Sequence, residues 1–123
     1  MAAGLDHVTL KVADFARSAA FYDAALGPVG LTRLFGDGEA FGGYGAERPF
    51  FWIGQGEQAG GTHIAFAVAD RANVDAFYAA ALAAGGRDNG APGVRAHYHP
   101  TYYGAFVLDP DGHNIEAVCH APA

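Results

Sequence analysis

The sequence predicts an α+β protein built of two tandem βαβββ units that form a cupped mixed sheet, and two observations carry that prediction. The segment HVTLKVADFARSAAFYDAALGPVG (residues 7–30) lies without a gap on HIAFAVADRANVDAFYAAALAAGG (residues 63–86), with 12 identities in 24 positions. Five of the 12 are alanines, so the weight rests on the other seven, which include His7 with His63, Asp14 with Asp70 and Phe21-Tyr22 with Phe77-Tyr78. Within each copy the apolar period changes from two to that of a helix. A unit this small cannot bury its own apolar face, so two copies are expected to pack together.

In the first copy Val8, Leu10 and Val12 alternate with His7, Thr9 and Lys11, the pattern of a strand with one face on a core. Asp14 follows as a helix cap, since its carboxylate can accept the free N–H groups of a first turn. Phe21, Tyr22, Ala25 and Leu26 then form one helical stripe, which Gly27-Pro28 ends. Three short strands are predicted next, over Leu31–Phe35, Glu39–Tyr44 and Pro49–Ile53, with turns at Gly36-Asp37-Gly38 and around Gly45 to Arg48.

The glycine-rich stretch Gly54 to Gly61 separates the copies. In the second, Ile64, Phe66 and Val68 form the bulky strand face and His63, Ala65, Ala67 and Ala69 the small one. Asp70 is the matching cap, Phe77, Tyr78, Ala81 and Leu82 the matching stripe, and Gly85-Gly86 the matching stop. A strand near Arg87–Asn89, a long loop GAPGVRAHYHP, and a hairpin of Tyr103–Leu108 with His113–Cys119 complete the chain. The hairpin turn, Asp109-Pro110-Asp111-Gly112, has proline and glycine where a tight turn requires them. The bulky strand faces must cover the helices, so His7 and His63 project to the opposite, concave side.

The 123 residues, 51 % hydrophobic and 16 % charged, make a single domain, residues 1–123, with unit 1 at about 4–55 and unit 2 at about 60–120. Seven basic against 13 acidic residues leave a net charge of −6, which argues against nucleic acid and anionic membrane surfaces as partners. The start MAAGLDHV lacks the pattern of a secretory signal, and no apolar run has the length of a membrane span, so a soluble cytoplasmic protein is expected. The one cysteine, Cys119, excludes an internal disulfide and reads as a small buried hydrophobe.

Three stretches, LDHVTLKVADFARSAAFY, THIAFAVAD with its helix, and YYGAFVLDPDGHNIEAV, resemble the vicinal oxygen chelate superfamily, which includes glyoxalase I, extradiol dioxygenases and the bleomycin and fosfomycin resistance proteins. The resemblance implies a divalent metal held by His7, His63 and Glu116. Two imidazoles and one carboxylate can occupy one face of an octahedral ion and leave positions open, an arrangement suited to Fe and usable by Mn, Ni or Zn. It also implies a small-molecule substrate and a homodimer whose ligands come from both subunits, although the cup could also close within one chain. Taken singly, a strand histidine is more often a hydrogen-bonded structural residue, and Glu116 could be a solvated residue at a strand edge.

One departure from the pattern stands out. Glyoxalase I uses a second glutamate on the last strand of its first unit, and here PFFWIG places Phe51 or Trp52 at that position. Glu47 and Glu57 flank the strand, but a register slip that large would turn it inside out. Phe51, Trp52 and Arg95 are expected to wall a substrate pocket, with core packing as the alternative for the two aromatics. His97, His99, Tyr102 and Tyr103 crowd the rim before the strand of Glu116 and are the candidates for acid and base roles, or else aromatic anchors of a loop with exposed histidines. His113 and His120 are expected in solvent. Two function classes follow: a metal-dependent enzyme with lyase, isomerase or ring-cleaving dioxygenase chemistry, or a metal-free protein of the bleomycin-resistance type that sequesters a small molecule between aromatic walls.

Overall fold

The structure, a computed structural model, describes residues 4–57 and 59–123. The first unit runs β1 (Val8–Val12), α1 (Phe15–Ala25), β2 (Thr32–Gly36), β3 (Phe41–Gly45) and β4 (Phe51–Gln55); the second runs β5 (His63–Ala67), α2 (Arg71–Ala83), β6 (Arg87–Val94), β7 (Tyr103–Leu108) and β8 (Asn114–Cys119). Each unit makes its own four-stranded sheet, ordered β1-β4-β3-β2 and β5-β8-β7-β6. The first strand of each unit pairs parallel with its last, and the remaining pairs are antiparallel. The fold is therefore the α+β arrangement of two βαβββ units that the repeat predicts, with the sheet divided into two halves.

The apolar stripes of both helices and the bulky faces of both sheets form one continuous core. Leu10, Val12, Tyr22 and Leu26 of the first unit share it with Phe66, Phe77, Val107 and Ile115 of the second. Phe51 and Phe66 meet edge to face across the two units, ring centroids 5.1 Å apart. Asp14 caps α1 by accepting the Arg17 N–H at 3.2 Å. Asp70 occupies the matching place at α2 with extended backbone, but its carboxylate makes no cap bond.

Polar contacts also tie the units together. The Tyr22 hydroxyl donates to Asp109 Oδ2 at 2.5 Å, and Asp109 Oδ1 accepts the N–H groups of Asp111 and His113, so the β7–β8 turn is fixed onto α1. His113, expected in solvent, is 1 % exposed. Its Nε2–H donates to the Lys11 carbonyl at 2.8 Å and its Nδ1 accepts the Thr62 N–H at 3.2 Å. A buried imidazole with both nitrogens paired spans β1, the inter-unit segment and β8. Cys119 is buried, as its composition context suggests, and His120 is exposed.

β6 is longer than expected. It continues through Gly90-Ala91-Pro92 to Val94, with register shifts between Asp88 and Gly90 and between Gly90 and Gly93. Bulges absorb what a regular ladder would not accept, a proline without N–H and a glycine at φ 148°. The loop before β7 thereby shortens to residues 95–102.

Candidate metal centre

His63 and Glu116 lie on one face of the second sheet, because β5 and β8 run parallel with His63 beside Asn114 and Ala65 beside Glu116. His63 Nδ1 lies 3.1 Å from the Asn114 carbonyl, which can only accept, so Nδ1 carries the proton. Its Nε2 then presents a lone pair, and that atom stands 3.1 Å from Glu116 Oε1. The ring stacks on Phe106 at 6.2 Å. Glu116 is 1 % exposed, so it is not a solvated edge residue. Its Oε2 accepts the Tyr102 hydroxyl. Gly104 makes this possible: a Cβ there would stand 3.2 Å from both Glu116 Oε2 and the Tyr102 ring.

This donor set fits a divalent cation. Two lone-pair atoms at 3.1 Å repel unless a positive charge lies between them or a second proton sits on the ring. Neighbouring ligands of an octahedral ion with bonds of about 2.1 Å are about 3.0 Å apart, which matches. Both side chains are anchored from behind, the imidazole by a carbonyl and the carboxylate by a phenol, an arrangement common among metal-binding side chains.

His7 is prepared in the same way but stands elsewhere. Its Nδ1 donates to Asp6 Oδ1 at 2.8 Å, which also leaves Nε2 as the free lone pair. Asp6 is held below the usual carboxylate range by that bond and by the Arg48 guanidinium, whose Nη2 donates to Asp6 Oδ2 at 3.2 Å. His7 and His63 line a common cavity of about 520 Å³, together with Phe50, Phe51, Ile64 and Phe66. Yet among the described residues no group of three or more His, Cys, Asp or Glu side chains gathers to hold a metal. The chain brings together two of the three expected ligands.

The rim residues divide. Tyr102 joins the pair; burial first, and then its bond to Glu116, raise its hydroxyl to about 12. Tyr103 faces the other way, donating to Asp75 Oδ1 on α2 at 2.6 Å beneath the Arg71 guanidinium. His99 structures the loop, its Nδ1 accepting the Thr101 N–H at 3.2 Å. His97 is exposed and packs on Tyr98, ring centroids 4.2 Å apart. Arg95 is a loop clamp: its guanidinium donates to the carbonyls of Ala91, Gly93 and Gly104 and lies over Phe106.

The ambiguity between Phe51 and Trp52 is resolved by register. Thr9 pairs with Trp52 as Ala65 pairs with Glu116, so Trp52 stands in the first unit where Glu116 stands in the second. Phe51 is fully buried against Tyr22, Tyr44 and Phe66, although its edge also borders the larger cavity. Glu47 and Glu57 are exposed and lie outside β4. Asp6, which fixes the His7 tautomer, escaped the sequence reading; its adjacency to His7 was the only signal.

The Glyoxalase/Bleomycin resistance protein/Dioxygenase superfamily matches residues 4–117. No curated protein matches the chain. Among solved structures, the chain is similar to a glyoxalase/bleomycin resistance protein from Albidiferax ferrireducens T118, with 31 % identity and a TM-score of 0.79 over 93 % of this chain and 96 % of that one. A glyoxalase/bleomycin resistance protein/dioxygenase family enzyme from Burkholderia phytofirmans PsJN shares the fold at 20 % identity and TM-score 0.73, covering 97 % and 100 %. So does the fosfomycin resistance protein FosX from Mesorhizobium loti, at 20 % identity and TM-score 0.70, covering 97 % and 93 %. No helix among the described residues is long and apolar enough to cross a membrane.

Proposed function

The chain belongs to the glyoxalase/bleomycin resistance protein/dioxygenase superfamily, and from that premise we propose that it is a cytoplasmic metal-dependent enzyme acting on a small substrate with two adjacent oxygens. His63 and Glu116 of one copy and His7 of a second copy are the proposed ligands. The observation that carries this reading is the opposition of His63 Nε2 and Glu116 Oε1 at 3.1 Å, the separation of neighbouring ligands on one ion, which a cation satisfies as a second ring proton also would. His7, with its Nδ1 engaged by Asp6 and its Nε2 free, has the same preparation but joins no group of three metal-ligating side chains among the described residues, which supports a site completed by a homodimer.

A divalent ion of Fe, Mn, Ni or Zn bound there supplies Lewis acidity to the substrate oxygens. Tyr102 holds Glu116 in place through Oε2 and stays protonated across the physiological range. His97, exposed on the loop and free of a fixed polar partner among the described residues, is the proposed proton carrier, whereas His99 and Tyr103 have structural partners. Trp52 at the position matching Glu116 removes the carboxylate base that hemithioacetal isomerisation requires, so a lyase, another isomerase or a ring-cleaving dioxygenase is favoured over glyoxalase I chemistry. The second reading, a metal-free binding protein, is supported by the aromatic group of Trp52 with Phe35 and Phe41 on the open face of the first sheet.

Metal content of protein purified without added metal, with thermal stability before and after EDTA, tests the proposal. Near-stoichiometric metal and a drop in stability on chelation support the enzyme. Metal-free protein that no divalent ion stabilises turns the assignment to the binding protein.

A further inference from the structure

We propose that the face of the first sheet beside His7 recognises an aromatic ligand bearing a carboxylate, with Trp52 taking the ring and Arg48 the anion. The proposal deepens the functional reading, on which it rests for the ligand's place beside His7, although binding itself requires no metal. Asp6, His7, Thr9, Arg48, Pro49 and Trp52 line a hollow of about 380 Å³. Where the second unit carries a carboxylate, this unit carries an indole. The indole packs against Gly43, where a Cβ would come within 2.7 Å of the ring, and Phe35 and Phe41 flank it at 6.1 and 6.3 Å. Phe35 and Phe41 remain 57 % and 41 % exposed. An open aromatic plate of this kind gains by covering itself with another ring.

Arg48 supplies the polar end. It is held by a single 3.2 Å contact to Asp6, with both side chains about two-thirds exposed. Such a pair contributes little, because water screens it. Among the described residues the other guanidinium nitrogens have no partner, so the planar fork can take a ligand carboxylate through two parallel bonds. The other arginines with acidic partners, Arg17 and Arg33, pair with Asp111 and Asp23 away from the hollow, and Arg95 is spent on backbone carbonyls. The combination of one plate and one fork selects a planar apolar body with one anionic end.

Trp52 is the only tryptophan, so its fluorescence reports the hollow directly. Phenylacetate and phenylacetamide, titrated into EDTA-treated full-length protein, share a ring and differ in charge. The expected result is a saturable emission shift with the acid, an affinity at least about ten-fold above that of the amide, and loss of that advantage in Arg48→Gln. Arg48→Lys should recover only part of it. Equal binding of acid and amide, an unchanged acid affinity in Arg48→Gln, or no saturable shift with the acid up to about 10 mM overturns the proposal. Calorimetric titration of the same protein with Mn²⁺ or Zn²⁺ reads the metal ligands separately, so failure of one reading is distinguishable from failure of the other.

Discussion

His63 Nε2 and Glu116 Oε1 face each other across 3.1 Å while the other atom of each group is already committed, Nδ1 to the Asn114 carbonyl and Oε2 to the Tyr102 hydroxyl. Neither side chain can turn away without breaking a bond. With a ring proton on Nδ1 alone, the imidazole and the carboxylate so fixed oppose two lone pairs in a site where Glu116 is almost fully shielded from water. The second sheet thus holds a pair that calls for positive charge, which either a second proton on the ring or a bound cation supplies.

Glu116→Gln converts the opposition into a hydrogen bond, because an amide N–H can donate to Nε2 while the amide oxygen accepts from Tyr102. The variant should fold, and its metal-free form should be as stable as the wild-type metal-free form or more so, by about 1 kcal/mol. Metal content should fall to background and stabilisation by added ions should disappear. Unchanged occupancy, measured by elemental analysis, would remove Glu116 from the site.

Mixing two defective homodimers tests where His7 acts. If the ligands come from both copies, His7→Ala and Glu116→Gln homodimers each lack an intact site, but a heterodimer has one site with both defects and one with none. Statistical exchange at equal amounts makes half the dimers mixed, so about a quarter of wild-type metal occupancy should return. If all three ligands come from one chain, mixing restores nothing.

Tyr102→Phe leaves Glu116 Oε2 without its donor, in the space that Gly104 keeps open. Loss of a group that orients a metal ligand typically weakens binding by about 10 to 100-fold. Calorimetry with Zn²⁺ or Mn²⁺ should find that range with stoichiometry unchanged. An unaltered affinity would assign Tyr102 to loop packing alone, with Tyr98 and His120, whose rings it touches.

What the residues disclosed depended on range. β1, α1, β5 and α2 were legible because periodicity is local: Leu10 and Val12 alternate, and Phe21, Tyr22 and Ala25 recur at helical spacing, regardless of what they meet. Phe51 and Trp52 could not be separated, since FFW carries no alternation and only the pairing of Thr9 with Trp52 decides which ring faces out. The extension of β6 beyond Asn89 was hidden by Gly90 and Pro92, which punctuate a loop unless bulges accommodate them. His113 read as solvated because its partner, the Lys11 carbonyl, is 102 residues away in sequence. The repeat identified His7 and His63 as equivalents, but equivalence fixes position within a unit and not the placement of one unit on the other. The separation of His7 from the His63–Glu116 pair is a property of that placement.

One of the polar contacts between the units predicts an alkaline limit to stability. Tyr22 is fully buried, and burial first, then the Asp109 carboxylate, raise its hydroxyl well above its ordinary value of 10.0. A folded-state value above the unfolded one means that the contribution is complete below about pH 10 and is lost as pH rises beyond it, where the unfolded chain releases the proton first. Tyr22→Phe removes the donor and leaves Asp109 Oδ2, in a residue 1 % exposed, with an unmet lone pair. Denaturant unfolding at pH 7 should show a loss of about 1–3 kcal/mol. Repeated between pH 9 and 11, the wild-type value should fall toward that of the variant, whose own curve lacks this term and is flatter. A gap that stays constant over that range would show that Tyr22 contributes by packing against Phe21 and Phe51 and not through the proton it holds for Asp109.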